Sequence, residues 1–396
     1  MLNLIEIVMK TSNIYFLLIL SLFFCCKSQP KIENAPVQFV SIENEQKKVI
    51  GEPFFFNVAE IVPLENSDSC MMGYVSQIES VDSLLFIKDS YERLYLFDRK
   101  GKFITQIGKE GQGPGEYLLL SSFFIDRTDH TVTILDDTQG SILKYDFEGN
   151  FINSKKVPIE YIRRCAQTFL TEEGELLINN SFNFEENMAY TILDMSDSVS
   201  FEKRYPYYPI FIKDHTAWFS KHAMSELGQE IHFIMPLCDT IFCYSDKIFS
   251  PKYVMETPQK MADRNKFSDI SAEKPYPIVE FEIGQQGFFT GFRGLFETED
   301  MMLLNYKDQG GVLGFCIVDK KKWESNYYLY TYSFDKGIPV LPIVGVAENQ
   351  FIGSLECENI IQMKDKIDID LPQYAPLKEI IEGEHFDYNP VLFFYN

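Results

Sequence analysis

Two stretches of this chain are near-copies of each other and lie 48 positions apart. Residues 96–104 (LFDRKGKFI) recur as residues 144–152 (KYDFEGNFI). In each copy an apolar strand ends at an Asp, a turn carries a Gly, and a second apolar strand begins with Phe-Ile, which predicts a β-hairpin. Repeats of about 40–50 residues are typical of a β-propeller, in which each blade has four strands and cannot bury its faces alone. The repeat therefore predicts an architecture, but it does not predict a reaction.

The Asp that ends the first strand of the hairpin marks further copies. It recurs at Asp194, and looser copies end at Asp246 and Asp319. Residues 389–396 resemble the first strand of a sixth copy without its partner, while residues 54–64 supply a spare strand near the other end. Pairing these two strands would explain both fragments and would remove an exposed sheet edge. We therefore expect an all-β, six-bladed β-propeller that is closed by an N-terminal strand paired with the C-terminal blade.

Two polar insertions interrupt the repeat. Residues 258–280 mix Glu and Lys with Met and Phe, which favours a short helix or an excursion over another blade. Residues 364–384 contain the sequence LKEII at positions 377–381, which predicts a short amphipathic helix before the last strand. Six blades of about 45 residues and two insertions fit the length that remains after a leader is removed.

The N-terminal region has the pattern of an export signal. Residues 14–24 form an apolar run that is preceded by Lys10 and is too short for an ordinary membrane-spanning helix. A cysteine directly after such a run is typical of bacterial lipoprotein signals, in which the thiol is lipidated. Cys26 is the first choice for this modification and Cys25 the second. A plain secretory signal is the alternative, and Met9 is an alternative start.

These patterns divide the chain into three parts. Residues 1–26 are expected to be a lipoprotein signal peptide, residues 27–53 a flexible polar tether, and residues 54–396 the propeller. Acyl chains would anchor the protein without a spanning helix. We expect an exported protein that is anchored to the outer membrane, on its periplasmic or cell-surface side.

Charge and metal-binding residue types narrow the possible partners. The formal net charge is −22, which argues against nucleic acid and against an anionic membrane surface as partners. The six cysteines beyond the leader show no zinc or redox spacing, and several stand in strand patterns that predict buried thiols. The five histidines show no metal spacing either, and His232 is expected to be a satisfied core or channel residue. We therefore expect no metal site and no cofactor.

The segment between the first two hairpins carries a family resemblance. Residues 106–117 read QIGKEGQGPGEY, and the phrases CDTIF at 238–242 and NPVL at 389–392 occur further on. Together with the hairpins, these phrases resemble the six-bladed, NHL-like β-propeller lipoproteins of gut Gram-negative anaerobes, which carry a GxxGxGPGEY loop here. Phe242 departs from the Tyr that is usual in the family, and the acidic cluster that directs related lipoproteins to the cell surface does not follow Cys26. The resemblance covers nearly the whole mature chain and implies an accessory role in glycan uptake, without supplying catalytic residues.

The glycine-rich loop is the first candidate for a ligand site. Its glycines fit neither the Walker pattern nor the dinucleotide pattern. They predict a tight crossing from the outer strand of one blade to the inner strand of the next, with positive φ angles. Such a crossing is expected to bring Lys109, Gln112 and Glu116 near the mouth of the central channel.

Three arginines are the second candidate. Arg163 and Arg164 are expected to begin the innermost strand of the third blade, and Arg293 that of the fifth. In the channel they could bind carboxylates or sulfates through paired hydrogen bonds, so that an anionic ligand is expected. The alternative is that they form ion pairs with Asp or Glu of neighbouring blades.

The leading hypothesis for function is a lipid-anchored binding protein that recognises a glycan, a peptide or a partner protein. The alternative is a propeller enzyme, a lyase or hydrolase, with a metal such as calcium in the channel. A ring of Asp, Asn, Glu or His side chains from several inner strands would favour the enzyme. A structural scaffold without a small ligand is a third possibility, favoured if side chains fill the channel.

Overall fold

The structure is a computed structural model that describes residues 37–42, 58–183, 188–195, 203–204, 220–235, 238–257, 259–261, 276–307, 313–329 and 341–396. The expected signal peptide, with Cys25 and Cys26, lies outside these ranges, as does most of the expected tether. Within the described ranges, no helix is long and apolar enough to cross a membrane.

The described strands form the antiparallel four-stranded groups of a β-propeller, named blades here. Two strands precede them, β1 (Gln38–Ser41) and β2 (Val58–Pro63). Blade one contains β3 (Val75–Val81), β4 (Leu84–Asp89), β5 (Leu94–Asp98) and β6 (Phe103–Ile107), and is followed by the short strands β7 (Lys109–Glu110) and β8 (Glu116–Tyr117). Blade two contains β9 (Ser122–Asp126), β10 (Thr131–Asp136), β11 (Ser141–Asp146) and β12 (Phe151–Lys156). Helix α1 (Ile159–Ile162) then leads to blade three, with β13 (Gln167–Leu170), β14 (Glu175–Asn183), β15 (Met188–Asp194) and β16 (Lys203–Arg204).

The second half of the chain repeats this organisation. Blade four contains β17 (Met224–Leu227), β18 (Glu230–Phe233), β19 (Thr240–Ser245) and β20 (Ile248–Glu256). An insertion follows, with β21 (Lys260–Met261), α2 (Tyr276–Gln285) and β22 (Phe288–Phe289). Blade five contains β23 (Phe292–Glu297), β24 (Met301–Lys307), β25 (Leu313–Asp319) and β26 (Glu324–Leu329). Blade six joins β27 (Ile343–Ala347), β28 (Gln350–Leu355) and β29 (Val391–Tyr395) to β2.

The repeated turn is held by the Asp that ends the third strand of a blade. Asp98 Oδ1 accepts hydrogen bonds from the backbone N–H groups of Lys100 and Lys102, both at 2.9 Å. Gly101 and Gly149 have φ angles of 80° and 84°, in the region where a side chain is unfavourable. The Asp side chain and the Gly together explain why the sequence predicted these hairpins.

An early strand, β2, and the last strand, β29, meet in blade six. β2 runs antiparallel to β29, with Ile61 opposite Phe393 and Val62 opposite Leu392. All four side chains are buried. The structure therefore contains the pairing that the sequence predicted between an N-terminal strand and the last strand.

The first strand of each blade lies innermost. β9 contacts β13, β17 contacts β23, and β23 contacts β27, so that the first strands of these neighbouring blades meet. Between blades six and one, Gly345 pairs with Ile78. A Cβ atom on Gly345 would lie 2.5 Å from the Ile78 carbonyl oxygen, so a glycine is needed for this close approach.

The core lies between neighbouring blades. Leu96 of blade one shares an apolar cluster with Phe123 and Ile134 of blade two, and none of the three is more than 1% exposed. Successive side chains of a strand point to opposite faces of the sheet. Because each blade has a neighbour on either side, both faces of an inner strand are buried. This explains the largely apolar strands in the sequence.

The expected tether contains a strand. β1 lies within residues 27–53 and pairs in parallel with β20, with Val40 opposite Met255 and both side chains buried. The Ser325 hydroxyl donates a hydrogen bond to the Ser41 carbonyl at 2.7 Å, which links β1 to blade five. The prediction of a flexible tether is therefore wrong for β1, because the Val40 side chain is buried where β1 contacts blades four and five.

Both insertions contain helices. α2 lies at the end of the first insertion, of which residues 262–275 are outside the described ranges. The second contains α3 (Cys357–Gln362), two 3₁₀ segments (Lys364–Lys366 and Pro372–Leu377) and α4 (Lys378–Gly383). Leu377, Ile380 and Ile381 are buried in the cluster that also contains Phe393. The predicted amphipathic helix before the last strand is therefore present.

Candidate ligand site at the channel mouth

The glycine-rich loop forms its own small structure. β7 and β8 pair in parallel, and the Glu116 carboxylate accepts a hydrogen bond of 2.7 Å from the Gly113 backbone N–H. Lys109 and Gln112 are exposed. The carboxylate of Glu116 is thus occupied with the backbone of the loop that carries it.

The loop packs on the outer strands of blade two. The Tyr145 hydroxyl, on β11, donates a hydrogen bond of 3.0 Å to the Gly115 carbonyl. Gly115 has a φ angle of 76°, and a Cβ atom there would lie 2.6 Å from the Phe151 ring on β12. Because β11 and β12 are the third and fourth strands of the blade, this part of the loop lies away from the channel. The predicted positive φ is confirmed at Gly115. These contacts, however, hold the loop against the outer strands of blade two and not at the channel mouth, where it was expected.

Arg163 and Arg164 do not begin an inner strand. They follow α1, both are exposed, and β13 begins only at Gln167. Arg164 has a φ angle of 56°, and its backbone N–H donates a hydrogen bond of 2.7 Å to the Asp137 carboxylate. The prediction placed the strand too early because a short helical turn intervenes.

Arg293 lies on the inner strand β23, as predicted, but its guanidinium is occupied. It forms a two-point hydrogen-bonded ion pair with Glu280 on α2, with Nε 2.9 Å from Oε1. Glu280 is 2% exposed, and Lys307 Nζ lies 3.4 Å from it. Arg293 therefore forms an ion pair, which was the alternative expected for the arginines. Its partner Glu280 belongs to the insertion and not to a neighbouring blade.

The structure places a different set of residues around the channel. A cavity of about 430 Å³ opens where the first strands end, and it is lined by residues from each of the blades described above. Its lining includes acidic side chains that lie at or just beyond the ends of β3, β17, β23 and β27: Glu79, Asp82, Glu226, Glu297, Glu299 and Glu348. Among the described residues that line it, Arg127, directly after β9, is the one Lys or Arg. We call this cavity the acidic mouth.

Carboxylates in the acidic mouth are only partly balanced. Arg127 lies 3.1 Å from Glu226 and donates a hydrogen bond of 2.8 Å to the Ser80 carbonyl. Glu79 accepts a hydrogen bond of 3.0 Å from the Gln77 amide, and the surface it exposes faces the cavity. Burial raises the pKa of Glu79 to about 7, opposed by the Gln77 hydrogen bond and by Arg127 and assisted by the Glu226 charge. A cation in this mouth would stabilise the ionised form of Glu79.

The histidine of the acidic mouth does not supply this cation. Burial, assisted by the neighbouring charge of Lys221, lowers the pKa of His222 to about 4. The imidazole ring lies 4.8 Å from the ring of Phe296. His222 is therefore neutral at physiological pH, and its ring, packed beside Phe296, contributes a largely apolar part of the cavity wall.

Sequence reasoning missed the acidic mouth because it used the hairpin of the third and fourth strands as its marker. The lining carboxylates stand at the other turn, between the first and second strands. A signal is present: Asp82, Glu226, Glu299 and Glu348 each lie near the end of a first strand. No short motif unites them, so only the ring arrangement brings them together.

Fold and site define a β-propeller with a ligand-sized acidic cavity on its axis. The chain belongs to the family described as a domain of unknown function, DUF4934, whose model matches residues 37–396. No curated protein matches the sequence.

Two solved structures share the fold. One is a Bacteroides fragilis protein that is provisionally named an exported protein, with a TM-score of 0.71 and 19% sequence identity over 91% of this chain and 99% of that chain. Another is a member of the DUF4221 family from Bacteroides vulgatus, with a TM-score of 0.52 and 9% identity over 86% of this chain and 97% of that one. At these identities the likeness extends to the fold alone.

Proposed function

We propose that this protein is an exported, lipid-anchored propeller that binds a cationic ligand at the acidic mouth. The observation that carries the proposal is the position of Glu79 beside Glu226 in a concave site with too few cations to balance them. The volume of about 430 Å³ is in the range of small-molecule sites, about 300–1,000 Å³. Binding, and not catalysis, is the activity that this arrangement supports.

Electrostatics favour a ligand with an ammonium or guanidinium group. A cleft whose walls carry charge of one sign focuses the field and raises the local concentration of oppositely charged ligands. The net charge of −22 acts in the same direction at longer range. A basic side chain of a peptide or the amino group of a sugar would satisfy the same chemistry.

The spacing of the carboxylates argues against a metal-assisted enzyme at this site. Among the described residues, three metal-ligating atoms come within 4.8 Å of one another at Glu230, His232 and Cys243, and not in the acidic mouth. Carboxylates that bind calcium converge on one point, with oxygen atoms about 2.4 Å from the ion. The wider spacing in the acidic mouth suits an organic cation better.

The test is binding of pentalysine, compared with its fully acetylated form, by titration calorimetry at two salt concentrations. We expect pentalysine to bind more tightly than the acetylated peptide, and to lose affinity as salt rises. Glu79→Gln should weaken binding severalfold, whereas Glu379→Gln, an exposed position on α4, should not. Failure of the parent to bind pentalysine, or an equal effect of both substitutions, would reject the acidic mouth as the site.

Export, lipid attachment and the wider role of the protein are supported by other observations. The apolar run before Cys26 supports export and lipidation, and the provisional name of the Bacteroides fragilis neighbour agrees with export. The strand groups and the β2–β29 pairing support a closed ring of six blades. An accessory role in glycan uptake is supported by the resemblance to propeller lipoproteins, and amino sugars are the glycans that a negative cavity would favour.

A further inference from the structure

A second cluster of reactive side chains lies between blades four and five. His232 on β18 is directly opposite Cys243 on β19. Glu230 is two residues before His232, so its side chain is on the same face of the strand. The carboxylate, imidazole and thiol atoms of these three residues all lie within 4.8 Å of one another. His232 and Cys243 are buried, while the Glu230 side chain is 35% exposed.

We propose that Glu230, His232 and Cys243 form a binding site for a divalent zinc-type metal ion. A thiolate, an imidazole nitrogen and a carboxylate are ligand types that zinc accepts, and three protein ligands leave a fourth tetrahedral position for water. The partly exposed Glu230 marks the side from which an ion and this water would reach the site.

The environment of His232 supports a metal-ligand role. Its Nδ1 atom lies 2.5 Å from Oε2 of Glu297, a carboxylate that is itself fully buried. Lys320 Nζ lies 2.8 Å from the other oxygen of Glu297 and holds that carboxylate in place. A metal-ligating histidine usually donates its second N–H to a carboxylate in this way, which fixes the ring and leaves the other nitrogen for the metal. Here that other nitrogen, Nε2, faces Glu230 at 2.9 Å.

The competing account is an ion-pair network without metal. His232 as an imidazolium would bridge Glu230 and Glu297, and Lys252 lies 2.7 Å from Glu230. Burial alone would lower the pKa of His232, but hydrogen bonds to Cys243, Glu230 and Glu297 outweigh burial and raise it to about 11. In this network Cys243 contributes only a hydrogen bond, which a serine hydroxyl could also form, whereas the metal site needs its thiolate. The role of Cys243 therefore separates the two accounts.

The experiment uses the purified exported chain, dialysed against chelator and then titrated with Zn²⁺ or Co²⁺. We expect about one ion per chain, a thiolate-to-cobalt charge-transfer band, and a higher melting temperature with zinc. Cys243→Ser should abolish the band and weaken zinc binding at least tenfold. Cys316→Ser, at another fully buried strand cysteine, should leave both unchanged.

The cobalt spectrum of the parent keeps the proposal falsifiable even if Cys243→Ser does not fold. Absence of a charge-transfer band in the folded parent would overturn the site, and so would unchanged zinc affinity in Cys243→Ser. Either result would assign His232 to the ion-pair network. Glu297 borders both sites, but the pentalysine test changes Glu79 and leaves Glu230, His232 and Cys243 intact, so the two proposals can fail separately.

Discussion

The Arg99 guanidinium lies 3.3 Å from the centre of the Phe394 ring, and so joins the turn after β5 to the last strand of the chain. The same guanidinium lies 2.8 Å from the Glu60 carboxylate on β2. Glu60 and Phe394 are paired across β2 and β29. Arg99 of blade one thus contacts both β2 and β29 of blade six, whose pairing is where a ring of blades would be closed.

Deleting residues 389–396 should leave little folded protein. The deletion removes β29, exposes the edges of β2 and β28, and uncovers the buried side chains that packed on it. Soluble yield, size-exclusion profile and thermal melting measure the effect. Removing Asn396 alone, an exposed residue, is the control and should preserve the fold. A 389–396 deletion that melts like the full-length chain would contradict closure through this pairing.

Asn389→Ala should lower the free energy of unfolding by about 2–3 kcal/mol, because it removes three hydrogen bonds that a buried side chain makes to buried or partly buried backbone groups. The Asn389 amide donates hydrogen bonds to the carbonyls of Glu65 (2.7 Å) and Cys70 (2.8 Å) and accepts one from the Met72 N–H (3.0 Å). Urea denaturation measures the change. Asn396→Ala should stay within about 0.5 kcal/mol of the parent. Equal stabilities of the two variants would show that these bonds contribute little.

Sequence reasoning predicted those parts of the fold whose signals are local. The hairpins of the third and fourth strands were predictable because an Asp and a residue with positive φ recur in the described turns of blades one, two, four and five. The start of blade three was missed because Tyr161 and its neighbours look like a strand, whereas Pro158 stands at the N-cap of a helical turn. β1 was missed because four residues in a polar segment carry no recognisable period.

The candidate sites depend on contacts that no linear pattern records. The carboxylates of the acidic mouth converge because the inner strands β3, β17, β23 and β27 end at one place, and their sequence neighbourhoods are unrelated. His232 and Cys243 are 11 positions apart, a separation that fits no zinc motif, and meet because β18 and β19 are paired. Arg293 was placed on the correct strand, but Glu280 could not be predicted as its partner because it lies in an insertion.

Replacing Cys25 and Cys26 together by Ser should abolish incorporation of a fatty-acid probe in the native host. In a lipoprotein signal, the lipid is attached to the thiol of the cysteine that follows the apolar run, so the double replacement removes the acceptor. Gel fluorescence after metabolic labelling measures the modification. Single replacements then show which cysteine is used, and Cys26→Ser should have the larger effect. Unchanged labelling of the double variant, or an unlabelled parent, would reject lipidation at this position.

Glu79→Gln should stabilise the protein at pH 8 but not at pH 5. Burial raises the pKa of Glu79 from 4.5 to about 7, so the folded protein keeps a proton that the unfolded chain loses. The free energy of unfolding therefore falls as pH rises through this window, by an amount on the order of 2 kcal/mol. Glutamine removes this contribution. Urea denaturation at both pH values, with Glu379→Gln as control, tests it; equal effects of Glu79→Gln at pH 5 and 8 would contradict the raised pKa.

Arg293→Met should lower the free energy of unfolding by about 3 kcal/mol, because it removes the two-point ion pair of the buried Glu280 carboxylate and leaves only Lys307, at 3.4 Å, as a charged partner. The double variant Arg293→Met with Glu280→Leu should recover most of this loss, since it removes both charges from the interior. Arg163→Met, at an exposed position, should change stability by less than about 0.5 kcal/mol. Urea denaturation of the three variants is the measurement. Recovery in the double variant would show that Arg293 serves to hold α2 on blade five, whereas an Arg293→Met protein as stable as the parent would leave that arginine free for a ligand.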